Sequence, residues 1–184
     1  MYMEQPQMIE GKSVTLRPIT VDDAEFILDL RQREDIACFF LNRIDITVEQ
    51  EREWIRKSKV SGDYNFAICD KMGESIGLIA LCNVEAQCAE SGRFMSLGNA
   101  VQNIEACMLL YDFAFEKIGV NAIENVVVSH NGKVKGMHEK FGFVFNEKTE
   151  KCGVSVYHGI LKRNAYIKQR HKISTLVDRA SRII

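Results

Sequence analysis

Only 2 prolines occur in 184 residues, and no repeat, low-complexity tract or linker divides the chain. One domain with a sizeable core is therefore expected, rather than a string of small ones. No apolar run approaches the ~20 residues of a membrane-spanning helix, and no signal-peptide pattern opens the chain. A cytoplasmic location is expected, without stable membrane insertion. The 6 cysteines (38, 69, 82, 88, 107, 152) form no C-x-x-C pair and no metal-ligand spacing. They read as reduced, mostly buried thiols, and no metal site is expected. Excess charge is missing too: 24 Lys and Arg stand against 25 Asp and Glu, which argues against nucleic acid as a partner. The charge is unevenly placed, however, with seven basic residues and one acid, Asp178, from Lys162 onward.

What is present is an ordinary globular mixture, 46% hydrophobic and 27% charged. Residues 11–18 alternate as a strand does, with Val14 and Leu16 inward. Thr20, followed by Asp22 and Asp23, begins an amphipathic helix carried by Ala24, Ile27, Leu28 and Leu30. Residues 32–45 break the periodicity, setting Phe39, Phe40 and Leu41 beside Asn42, Arg43 and Asp45. Thr47 and Gln50 then form a capping box for a second helix with Trp54 and Ile55 on its apolar face. Residues 63–70 and 75–85 read as a hairpin turning at Gly73, and 89–96 as a further strand. A 98–103 loop leads into a helix over 104–117, closed by Gly119. Residues 154–161 make a last strand. Beyond it, Ile167, Ile173, Leu176, Val177 and Ala180 predict a basic C-terminal helix, packed on the domain or a homodimer mate, or meeting an acidic partner or membrane surface.

The stretch 121–143 organises the rest. Ile123 to Val128 is a β-branched run of buried-strand length. The period then changes: Val134, Met137, His138 and Phe141 have helical spacing, and Gly142 stands as a C-cap. A strand that passes through an Asn131-Gly132 corner into a short helix ending Glu-Lys-Phe-Gly-Phe closely resembles the GNAT family of acetyl-CoA-dependent N-acetyltransferases. The family pattern there is roughly N-x-x-(A/S)-x-x-x-(Y)-E-K-x-G-F. Asn131 opens it, and His138 stands at its Tyr. The Leu-Arg-Pro-Ile-Thr-Val-Asp-Asp-Ala opening, the strand carrying Gly77 and the Ala89-Glu90-Ser91-Gly92 strand are similar as well. The resemblance spans roughly residues 12–162. It implies an α/β GNAT fold over residues 1–163, a mixed sheet of about seven strands flanked by about four helices. The helix in 164–184 is an addition.

Acetyl transfer from a thioester needs a cradle for pyrophosphate, a base for the amine, a donor for the carbonyl oxygen and a proton for the departing thiolate. The resemblance implies acetyl-CoA as cosubstrate, with Gly98, Asn99, Ala100, Val101, Gln102, Asn103 and Ile104 around its pyrophosphate. The family pattern (Q/R)-x-x-G-x-(G/A) is not kept there, because Val101 and Asn103 stand at its glycines. A backbone N–H near Met95 or Ser96 is the expected oxyanion donor and Glu90 the expected base. His138 is the expected acid, since an imidazolium can donate near neutral pH. Read without the family, His138 is equally a packing histidine and Glu90 an edge glutamate. Asn131 either meets the pantetheine arm or simply suits an Asn-Gly corner. Phe39, Phe40 and Arg43 are acceptor-site candidates, against plain core and surface roles.

The acceptor is expected to be a small-molecule primary amine. Two GNAT subgroups are similar: enzymes that acetylate protein N-termini, of the ribosomal-protein alanine type, and enzymes that acetylate nucleotide-linked amino sugars for surface polysaccharides. The Met-His-Glu-Lys-Phe-Gly-Phe ending and the Thr-Val-Glu-Gln-Glu-Arg-Glu-Trp span favour the second. Arg31, Arg33 and Arg43 would then meet the diphosphate. A non-catalytic binding protein of the same fold, acting through its degenerate 98–103 loop or basic tail, is the reading from another class.

Overall fold

The structure, a computed structural model, describes residues 7–42 and 45–181. In chain order it contains β1 (Ile9–Glu10), β2 (Thr15–Pro18), α1 (Ala24–Gln32), α2 (Glu34–Ala37), α3 (Val48–Ser58), β3 (Tyr64–Cys69), β4 (Ser75–Cys82) and β5 (Cys88–Ser96). There follow α4 (Ala100–Asp112), β6 (Ala122–Val128), α5 (Gly132–Phe141), β7 (Val144–Phe145), β8 (Thr149–Lys151), β9 (Val154–Lys162) and α6 (Arg163–Ala180). The strands join in one sheet ordered β1-β2-β3-β4-β5-β6-β9-β7, with β8 also on β9. The β5–β6 pair is parallel and the others are antiparallel. Among the described residues nine strands stand where about seven were expected, because β1, β7 and β8 are edge pieces of two or three residues, too short to carry a period.

Strand alternation divides the apolar residues between two faces. On one, Leu16, Phe66, Ile68, Ile79 and Leu81 pack with α4 and α6. On the other, Ala67, Cys69 and Leu78 pack with Ile27 and Leu30 of α1 and Ile55 of α3. Tyr111 of α4 is fully buried at the centre of the first cluster, edge-on to Phe141 of α5 and to Tyr166 of α6.

The C-terminal helix is fastened by polar as well as apolar contacts. The Tyr166 hydroxyl donates to Asp112 Oδ1 at 2.6 Å, and Arg170 reaches the same carboxylate at 2.7 Å. Ile173 and Val177 are buried, while Ile167 and Leu176 stay exposed. Among the described residues no helix is long and apolar enough to cross a membrane.

One expected boundary is corrected. Residues 100–103 are not loop but the first turn of α4, which begins four residues before Ile104. The cause is local: Asn99 Oδ1 accepts from the Val101 and Gln102 N–H groups, and Gln102 Oε1 accepts from the Asn99 N–H. That is a capping box spelled Asn-x-x-Gln. At its far end α4 passes into a π-helical turn over 113–118 that Gly119 closes.

Helix α5 opens on Asn131, whose Oδ1 accepts from the Val134 N–H at 3.2 Å, and stops at Gly142 in the left-handed region at φ +101°. A Cβ on Gly142 would lie 3.2 Å from the Ala165 carbonyl oxygen, whereas one on Gly73, at φ +86°, would meet nothing within 4 Å. Gly142→Ala is therefore expected to lose about 1–2 kcal/mol from backbone conformation plus a contact penalty, and Gly73→Ala only the former. Urea unfolding of the two variants checks the order.

Candidate active site

β5 and β6 are joined only through Cys88↔Ala122, Ala89↔Ile123 and Glu90↔Glu124. Beyond those pairs, Ser91–Ser96 and Asn125–Val128 have no partner in each other, and a wedge opens toward the N-termini of α4 and α5. Crevices of this kind, at the carboxyl ends of adjacent parallel strands, are where α/β sheets bind ligands. The N–H groups on the β6 edge of β5 turn toward the wedge.

The other edge of β5 carries a bulge. Gly92 pairs with Ala80 and Met95 with Leu78, so Arg93 and Phe94 together oppose Ile79. Arg93 sits at φ +52°, an unfavourable conformation for a bulky residue. The extra residue reverses the strand's facing. Ala89 packs in the α4 cluster, but Met95, an even number of residues on, packs with α1 and α3. Met95 and Ser96, the expected oxyanion donors, are in register with β4, and the irregular pair is Arg93–Phe94.

On the α4–α5 side of the wedge, the Tyr111 hydroxyl and His138 Nδ1 lie 2.8 Å apart. His138 is 5% exposed and lies against the ring of Phe143. Burial lowers its pKa from 6.5 to about 4 and pushes the Tyr111 phenol up. His138 is therefore a neutral imidazole at pH 7. The imidazolium acid suggested by sequence is not the form this environment holds, because burial withholds the water that would solvate a charged ring. A neutral ring still offers one N–H.

Asn125 lies on the same face, as the first β6 residue past the last β5–β6 pair. It is 3% exposed, and neither Oδ1 nor Nδ2 has a hydrogen-bond partner. Gly159 stands opposite, where a Cβ would come within 2.6 Å of Asn125 Oδ1. The sheet thus makes room for an amide that nothing in the described chain satisfies.

The opposite face of the sheet carries a polar strip. Glu90 Oε2 accepts from Asn83 Nδ2 at 3.0 Å, and Glu90 Oε1 leans over Gly92, 4.0 Å from where a Cβ would be. The Arg93 guanidinium donates to Asn65 and Asp63 at 2.8 and 2.9 Å and lies 5.3 Å from the Trp54 ring centre. Arg31 lies over the same ring at 5.6 Å. Next to it is a cavity of about 650 Å³ whose lining includes Arg31, Phe40, Glu51 and Trp54. Phe39 stacks on His130, whose Nε2 is 3.0 Å from the Cys38 carbonyl oxygen, docking the cavity's wall on the end of β6. Phe40 thus lines the cavity and Phe39 braces it. Arg43 lies outside the described residues.

A family model described as "Acetyltransferase (GNAT) domain" matches residues 13–144. The chain belongs to the GNAT acetyltransferase family. The Bacillus subtilis protein "Probable N-acetyltransferase YjcK" is 29% identical, with 74% of this chain and 83% of that protein covered. Among solved structures, apo FdhC, described as a nucleotide-linked sugar GNAT, superimposes with a TM-score of 0.78 at 20% identity, covering 90% of this chain and 95% of that one. Spermidine N-acetyltransferase from Vibrio cholerae, in complex with CoA and spermine, gives 0.75 at 18%, covering 85% and 99%.

GNAT enzymes use acetyl-CoA, and the wedge and the two helix N-termini suit an extended thioester. The α4 end, however, is already satisfied by its own side chains. Ser96 Oγ accepts the Gly98 N–H at 2.9 Å and donates to Asn103 Oδ1, while Asn99 and Gln102 hold three further N–H groups. A pyrophosphate at Val101 and Gln102 must displace Asn99 Oδ1.

Residues that the sequence reading missed are Tyr111, Asn125, Arg93 and Glu51. Asn125 was within reach, since it is the one polar residue among the inward positions 123, 125 and 127. Arg93 was not, because a bulge has no spelling of its own.

Two outcomes follow. Asn99→Ala should cost about 1 kcal/mol of stability while tightening CoA binding, as calorimetric titration would show; weaker binding would mean that Asn99 itself meets the ligand. For His138, both folded and unfolded states are neutral above pH 6.5. As pH falls toward 4 the unfolded chain takes up the proton first, so the folded state loses about 3 kcal/mol over that window. Urea unfolding at pH 7 and pH 4.5 should show that slope in the parent and a shallower one in His138→Gln.

Proposed function

We propose that this GNAT enzyme works in the cytoplasm, acetylating the primary amine of a nucleotide-linked amino sugar by direct transfer. The observation that carries the reading is the wedge between β5 and β6, which has the buried Tyr111–His138 pair on one side of the sheet and the Glu90–Arg93–Trp54 strip on the other. A thioester in the wedge and an amine on the strip would meet at the Arg93–Phe94 bulge. Acetyl-CoA supplies the activated acyl group.

The chain's own residues divide the remaining work. The N-terminus of α4 and residues 98–104 hold pyrophosphate oxygens through N–H groups and the positive end of the helix. Asn131, at the N-terminus of α5, would meet the amide-bearing arm. N–H groups on the unpaired edge of β5 between Ser91 and Ser96 take the carbonyl oxygen as it gains charge. Glu90, held by Asn83, takes the amine's proton directly or through water. His138, neutral, gives the departing thiolate a hydrogen bond rather than a full proton, consistent with its low pKa. The six cysteines are free thiols, as a reducing compartment would keep them.

The likeness to a nucleotide-linked sugar GNAT supports a sugar acceptor, and so does a cavity large enough for a hexose ring with its substituents. The acids Asp45 and Glu51 in that cavity, with the likeness to spermidine N-acetyltransferase, favour a polyamine as the second reading.

The test is steady-state acetyl transfer with acetyl-CoA against nucleotide-linked amino sugars and spermidine. Turnover of the sugar nucleotide is expected, with Glu90→Gln lowering kcat by roughly 10²–10⁴-fold and removing the acidic limb of the pH–rate profile. Turnover of spermidine alone would overturn the acceptor assignment.

A further inference from the structure

Glu51 and Arg31 form an ion pair that leaves both partners incomplete. Arg31 Nε is 3.3 Å from Glu51 Oε2. Yet Arg31 Nε is a buried atom without a hydrogen-bond partner, and so is Glu51 Oε1. The Glu51 side chain is only 1% exposed. Burial raises its pKa against the opposing pull of Arg31 and Arg93. Buried polar atoms are nearly always satisfied, by protein, water or ligand. Here an unfilled donor and an unfilled acceptor belong to two residues that line the same cavity, and both atoms lie just behind its surface.

We infer that this cavity binds a hydroxylated ring, one of whose hydroxyls donates to Glu51 Oε1 while accepting from Arg31 Nε–H. The inference rests on the amine acceptor being carried on a sugar. A hydroxyl both donates and accepts, so it completes both atoms at once. An ammonium only donates. It would leave Arg31 Nε unmatched and set a third cation beside the two guanidiniums already on Trp54. The remaining wall adds apolar surface from Phe40 and Trp54, amides from Gln32 and Gln50, and the Asp45 carboxylate, a further acceptor for ring hydroxyls. The pair then acts as a specificity determinant, recognising the sugar away from the reacting amine.

The chain's one tryptophan, Trp54, lines this cavity, so its fluorescence reports occupancy independently of turnover. The full chain is titrated with UDP-glucosamine, free glucosamine and spermidine, with CoA binding followed separately by calorimetry. UDP-glucosamine and glucosamine should each give a saturable Trp54 response. Glu51→Gln should weaken both by 10-fold or more and raise KM for the sugar nucleotide with little change in kcat or CoA affinity. The double variant Arg31→Met/Glu51→Leu replaces the pair by apolar groups of similar size, a change that folds tolerate. It should keep CoA binding and lose the sugar response.

A Trp54 response to spermidine alone would overturn the inference, as would acetylation of UDP-glucosamine that neither moves Trp54 nor heeds Glu51→Gln. Silence with every probe would also overturn it. If instead the sugar response holds while acetyl-CoA fails to bind, the acetyl-transfer reading falls and the sugar site stands.

Discussion

The candidate site depends on where a parallel strand pair stops. β5 and β6 hydrogen-bond through three residue pairs and then part, although their neighbours β4 and β9 hold them along their length. A sheet interrupted in its middle exposes backbone donors that would otherwise be consumed in a ladder. Here they open toward two helix N-termini. The bulge at Arg93–Phe94 belongs to the same arrangement, since a strand with a bulge bends and twists away from its neighbour.

The wedge is kept open by rigid material on one side. Tyr111 touches Phe141, Phe143, Tyr166 and His138, so α4, α5 and α6 meet on one ring. Asp112, next in sequence, receives Tyr166 and Arg170 and fixes the C-terminal helix behind that ring. The basic tail thus gives part of its charge and its buried apolar residues to bracing α4. Across the sheet, the segment carrying Phe39 leans on His130 at the end of β6, so the cavity wall and the wedge share a boundary.

Much of this was legible in the sequence, and the reasons differ by residue. Ile123 to Val128, Asn131 and Gly142 declare a strand, a corner and a cap because local chemistry alone fixes each. The GNAT resemblance rests on that stretch, and the family match includes it. The start of α4 is hard to place from sequence because Asn99 and Gln102 suit a phosphate loop as well as the capping box they form. His138 is a candidate by its place in a motif, but its protonation state is a property of burial among residues distant in sequence. Glu51 was hidden for the same reason: on a polar helix face nothing in sequence separates a buried carboxylate from its solvated neighbours. Arg31 reads from sequence as a diphosphate contact, whereas its Nε lies buried 3.3 Å from the Glu51 carboxylate.

The Asn99 cap has a kinetic side. A helix end that binds its own side chain carries a tethered competitor for any anion that needs the same N–H groups. A pyrophosphate bound there, as proposed, would exchange one set of hydrogen bonds for another, so little net enthalpy would be gained at that end of the ligand. Departing CoA would meet the same competitor, within a bond rotation of its old partners. A helix end that grips less firmly on entry would also let go sooner, and turnover in enzymes limited by product release gains from the second property.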